Sequence, residues 1–135
     1  MSLKKLILAL SVSVAMLGAA PTTMAKPAGK IENASPAATV IAIAETIELA
    51  EKALQSIKDD SLDRKEMMAL FKTVKQRAKT IESTTTYMLR EKALGRLGKA
   101  RLSYKKGKEK SETIAKMEKS LETFRAVKVR YDEFN

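Results

Sequence analysis

Cysteine and histidine are both absent from the 135 residues. Without cysteine the chain has no disulfide, no thiolate metal site and no lipid anchor on an N-terminal cysteine, so its core must be self-sufficient. Without histidine it lacks the commonest general base and the commonest transition-metal ligand together. A carboxylate mechanism or a Ser/Lys pair remains for catalysis, and neither occurs at a recognisable spacing. These absences point to a protein that is not an enzyme and carries no cofactor. No aromatics interleave with the lysines as base-stacking platforms, so nucleic acid is not expected as a partner.

There is a single long hydrophobic run. After Met1-Ser2-Leu3-Lys4-Lys5, every residue from Leu6 to Leu17 is apolar except Ser11 and Ser13. As a helix this run spans about 18 Å against a hydrocarbon core of ~30 Å, which favours an export signal over a permanent membrane span. Small residues in Thr23-Met24-Ala25 place cleavage after Ala25. The reading is therefore a signal over residues 1–25, a leader over 26–34 containing Pro27 and Gly29, and a helical domain over 35–135. The mature chain is expected to be periplasmic or secreted and not integral to a membrane. It is long enough for one domain burying about 65% of its unfolded surface.

No segment reads as a strand. Ser35-Pro36 supplies an N-cap followed by proline at the first helical position, where a missing N–H is harmless. Helix 1 is expected to Lys58, with a stripe of Val40, Ile43, Ala44, Ile47, Ala50, Leu54 and Ile57. Asp59-Asp60-Ser61-Leu62 interrupts, and Asp63 with Glu66 forms a capping box that opens helix 2, expected from Arg64 to Glu82. Its stripe is Met67, Leu70, Phe71, Val74, Ala78 and Ile81.

The hydroxyl run Ser83 to Thr86 breaks the pattern, with one long bent helix across helices 2 and 3 as the alternative. Helix 3, Thr85 to Lys105, carries Tyr87, Leu94, Leu97, Ala100 and Tyr104. Gly95 and Gly98 inside it suggest a close helix crossing or a soft segment. Gly107 is the stop. Helix 4, Glu109 to Tyr131, carries Ile114, Met117, Leu121, Phe124, Val127 and Tyr131, with Phe134 closing the base.

The two hairpins echo one another at an offset of 47, Ile47 matching Leu94 and Met67 matching Ile114. Helical periodicity by itself produces such matches, so duplication and coincidence are both open. The expected fold is all-α, an antiparallel up-down four-helix bundle of two hairpins. A swapped homodimer is compatible with the glycines and the threonine break.

Charge is the remaining feature. The whole chain carries 26 Lys+Arg against 16 Asp+Glu, a net of +10. Between Arg90 and Arg130 there are 14 basic and five acidic residues, a local +9. This run, above all Arg96, Lys99, Arg101, Lys105, Lys106 and Lys108, is the candidate anion-binding surface on helices 3 and 4. In an envelope compartment it would meet lipid headgroups, lipopolysaccharide phosphates or acidic polymers. Other clusters read as structural. Glu45, Glu48 and Glu51 drift around the solvent side of helix 1, Asp59 to Glu66 cap helix ends, and Met67 and Met117 fill core.

The alternating helices of Ala44 to Ile57 and Met67 to Ile81, followed by Leu97-Gly98-Lys99-Ala100-Arg101-Leu102-Ser103-Tyr104-Lys105-Lys106-Gly107-Lys108, resemble small exported up-down bundles of the bacterial small metal-binding protein type. Leu121 to Tyr131 is similar to the last helix of periplasmic b-type cytochrome bundles. The resemblance covers residues 36 to 134 and implies a periplasmic bundle carrying metal or haem. In both families histidines are the ligands, and this chain has none to place there. A carrier of this type would need Met or carboxylate ligands. Charge and compartment also resemble basic periplasmic stress chaperones, whose Leu-Thr-x-x-Gln repeat is missing.

Overall fold

Ser35 opens the first of the described helices with a 3.0 Å bond from the Ala38 N–H to its hydroxyl, and Pro36 follows at the first helical position. The computed structural model describes residues 35–135, so the readings of a signal and a leader lie outside the described residues. Among the described residues four helices form: α1 Pro36–Asp59, α2 Arg64–Ala78, α3 Tyr87–Lys105 and α4 Lys110–Phe134. There is no strand among the described residues.

The boundaries follow local chemistry. Asp60 ends α1 in the left-handed region at φ 52°, a conformation that aspartate tolerates better than most residues. The capping box is complete: Glu66 N–H donates to Asp63 Oδ1 at 2.8 Å, and Asp63 N–H donates to Glu66 Oε1 at 3.0 Å. Gly107, at φ 72°, terminates α3 with the Lys108 N–H bonded to Ser103 O, the bond of a Schellman turn.

Helix α2 ends at Ala78, short of the expected Glu82. The Thr80 hydroxyl and N–H both donate to Arg77 O, and Ile81 N–H donates to Ala78 O, which tightens the chain into a turn. Arg90 then donates to the carbonyls of Lys79 and Ile81 from the first turn of α3, fixing α2 and α3 as separate helices. At the other end α4 runs to Phe134, past the expected Tyr131.

The α2 stripe is buried throughout, Ile81 included, although Ile81 lies beyond the helix end. The α4 stripe is buried except for half-buried Ile114. Phe134 does not close the base; it is exposed, with Arg130 stacked 5.1 Å over its ring. Nor do all the α1 positions turn inward, since Val40 and Ala44 face solvent while Thr39, Ala42, Thr46, Ala53 and Ser56 are buried. In α3, Tyr87 is exposed whereas Ala93 and Ser103 are buried.

The seam is thus displaced towards small and hydroxylated residues, because two helices approach closely only where side chains are short. Their hydroxyls find partners: Thr46 donates to Ala42 O at 2.7 Å, Ser120 to Ala93 O at 3.0 Å, and Ser103 pairs with Thr113 at 2.7 Å. Thr86 is the exception, its buried hydroxyl having no partner among the described residues. Phe71, Met67, Val74, Met117 and Phe124 fill the centre, each contributing about 1.5–3 kcal/mol by burial.

Candidate functional site

Each helix packs extensively on its neighbours except at one seam, where α2 and α3 touch least. The reason is local. Gly95 and Gly98 face no close crossing, since a Cβ built at either meets nothing within 4 Å. Gly98 leaves open space beside α2, and a groove of about 600 Å³ results. Buried Phe71 and Leu97 form its floor with half-buried Met68 and Leu94, while Ala69, Lys72, Lys75 and Arg101 stand around it. Across the floor, Tyr104 packs tilted on Phe71 at 5.9 Å. Burial pushes the Tyr104 phenol above its ordinary pKa, with Arg64 opposing and Asp60 and Asp63 reinforcing that shift.

Charge divides by helix. Across α2 and α3 there are 11 basic residues and two acids, Glu66 and Glu91. Both acids are committed, Glu66 to the capping box and Glu91 to Arg90 at 2.8 Å. Helix α4 is almost balanced, with six basic and five acidic residues. The acids of α1 serve as struts: Glu45 pairs with Arg77 at 3.2 Å and Glu51 with Arg125 at 2.8 Å. Glu48 lies beside Lys52, whose pKa burial lowers while the glutamate partly restores it.

The side chains of Lys72, Lys75 and Arg101 have no hydrogen bond or ion pair among the described residues. At about 100° per residue, Lys65 lies near Lys72 on the same side of α2, and Lys105 follows Arg101 one turn along α3. These cations line one side of the α2–α3 pair.

The six residues singled out from the sequence do not share a face. Arg101 stands in the groove, with Lys105 beyond it. Arg96 points to α4, donating to Thr123 Oγ1 at 2.7 Å, and is half-buried. Lys99 and Lys106 are exposed and project roughly 140–160° away from Arg101. Lys108 follows the glycine turn near Glu112, whose carboxyl is held low by a hydrogen bond from Lys116 and by the charges of Lys116 and Lys108.

Sequence reading passed over Lys72 and Lys75 because counting along the chain averaged α2 with the acids of α1 and its loop. The usable sign was the lone acid of α2. Among the described residues no group of three potential metal ligands gathers, and Met67 and Met117 are fully enclosed in the core. No helix among them is long and apolar enough to cross a membrane. A second exposed feature is apolar: Val40, Ile41, Tyr87, Met88, Val129 and Phe134 sit near helix ends on three different helices. The groove, by contrast, joins an apolar floor to unpaired charge.

No family model matches the chain, and no curated protein or solved structure matches it.

Proposed function

We propose that this chain is an exported, non-enzymatic helical-bundle protein that binds an anionic envelope partner, and that the binding surface is the cationic side of α2 and α3. The observation that carries it is the set of unpaired cations at the groove, Lys72, Lys75 and Arg101, on two helices whose only acids are already engaged. Such a surface holds a positive potential that proteins otherwise screen with interspersed acids. The partner's class is an envelope polyanion or lipid head group. This shifts the expected surface from α3 and α4 to α2 and α3, because α4 carries nearly as many acids as bases.

The bundle is read as antiparallel and up-down. In support, partner numbers fall along α4 as they rise along α3: Ala93 is bonded by Ser120, and Ser103 by Thr113. Export rests on the Leu6–Leu17 run and the Thr23-Met24-Ala25 site, and a mature mass beginning at Lys26 is the measurement that decides it. The absence of histidine and cysteine supports a binding role over catalysis.

Heparin affinity as a function of salt tests the surface. Binding should weaken steeply with ionic strength, and Lys72→Glu, Lys75→Glu and Arg101→Glu together should weaken it more than tenfold. Lys119→Glu with Lys128→Glu on α4 should change it less than threefold. Equal losses from the two sets would remove the assignment to α2 and α3, and no binding at low salt would remove the anionic partner altogether.

A further inference from the structure

Polyanion binding needs only a flat cationic surface, whereas this one is cut by a groove of about 600 Å³ with an apolar floor. That volume lies within the range of small-molecule sites. Phe71 and Leu97 at its base are almost wholly buried in the hydrophobic core, and half-buried Met68 and Leu94 beside them are the apolar surface the groove offers. Gly98 keeps it open, because any side chain there would project into unfilled space. Lys72, Lys75 and Arg101 border the same groove with no partner among the described residues. Apolar floor and cationic border describe complementary parts of one ligand.

We propose that the groove binds a single-chain anionic amphiphile, its hydrocarbon chain lying over Gly98 against Met68 and Leu94 and its carboxylate or phosphate head held by Lys72, Lys75 and Arg101. The assignment rests on the anionic-partner reading above and narrows it to a ligand class. The groove's lining on α3 runs from Leu94 to Arg101, about 10 Å of helix, which suits one chain rather than a folded double-chain lipid. Burying methylenes in it adds affinity that a soluble anion lacks. Each methylene is expected to tighten binding by up to roughly fourfold until the groove is filled.

Calorimetric titration of the purified protein with hexyl and decyl phosphate, decanoate, decyltrimethylammonium, inorganic phosphate and heparin tests this below the critical micelle concentrations. Decyl phosphate should bind at one equivalent, at least tenfold tighter than hexyl phosphate and far tighter than inorganic phosphate. Decanoate at comparable strength would assign the head to any anion, whereas a large preference for decyl phosphate would assign it to phosphate; either supports the site. Gly98→Trp should abolish decyl phosphate binding and leave heparin binding intact. If that variant melts early, Ala69→Trp, at an exposed and uncharged position lining the groove from α2, carries the same test.

Heparin binding without decyl phosphate binding overturns the amphiphile site and leaves the anionic-partner reading standing. Failure of both probes overturns both. Equal binding of decyltrimethylammonium, or undiminished decyl phosphate binding by a folded Gly98→Trp variant, also overturns the site.

Discussion

The guanidinium of Arg64, at the start of α2, donates a 2.6 Å hydrogen bond to the main-chain carbonyl of Lys105 at the end of α3. Lys110, at the start of α4, does the same for the carbonyl of Lys58 at the end of α1, at 3.1 Å, and also grips Asp60 at 2.6 Å. The α1–α2 and α3–α4 halves therefore each lend a cation to the open C-terminal carbonyls of the other, where positive charge suits the helix dipole. Lys58 and Lys105 are themselves 47 residues apart, the offset at which the two halves of the sequence align.

Arg64→Ala and Lys110→Ala are each expected to cost about 0.5–1 kcal/mol, because both bonds are solvent-exposed. The double variant should lose the sum, since the two contacts share no residue. Urea unfolding reads both quantities; a loss near zero for Arg64→Ala would show that water caps α3 equally well.

The hydroxyl pair between Ser103 and Thr113 is buried, so the two atoms depend on each other. Ser103→Ala leaves the Thr113 hydroxyl without its α3 partner and should cost about 1–3 kcal/mol. Adding Thr113→Val should recover most of it, because an apolar pair of the same shape leaves nothing unsatisfied. A double-mutant cycle by chemical denaturation measures this, and simple additivity would contradict it.

Glycine is expected to behave oppositely at two kinds of position. Gly95→Ala and Gly98→Ala should each stabilise α3 by about 1 kcal/mol, since the added Cβ meets nothing and the helix gains propensity. Gly107→Ala should destabilise by about 1–2 kcal/mol, because its φ of 72° is strained for an L residue. Thermal unfolding should show Tm shifts of several degrees in opposite directions.

Tyr104 ties the stability of the fold to alkaline pH. Burial first, aided by Asp60 and Asp63 and opposed by Arg64, raises its pKa in the fold above the ordinary value of 10.0. The folded state resists ionisation there, so its contribution is complete below pH about 10 and is lost as pH rises through the folded value. Tyr104→Phe should flatten that part of the stability profile. Tyrosinate absorbance during denaturation at several alkaline pH values is the measurement, and a profile unchanged by the substitution would rule Tyr104 out as the cause.

Local rules were enough for much of the fold. The Ser35 cap, the Asp63–Glu66 box and the Gly107 stop are each decided within a few residues, so the sequence alone placed three helix boundaries. The α2 stripe was equally legible because bulky Met67, Leu70, Phe71 and Val74 have only one apolar face to offer. Two other features were not decided locally. Ile81 stays buried outside any helix, and α2 stops early, because Arg90 reaches back from α3 to take the freed carbonyls.

Composition and chain order determined an all-helical basic protein without thiol or imidazole chemistry. Only the tertiary structure decided which cations stand together. Helix packing brings Lys72 and Lys75 beside Arg101 from a different helix, and turns Arg96 inward to Thr123. Periodicity fixes which residues share a helix face, but the rotation of each helix depends on where short side chains let neighbours approach. That choice involves all four helices at once, and it left the gap at Gly98 open between α2 and α3.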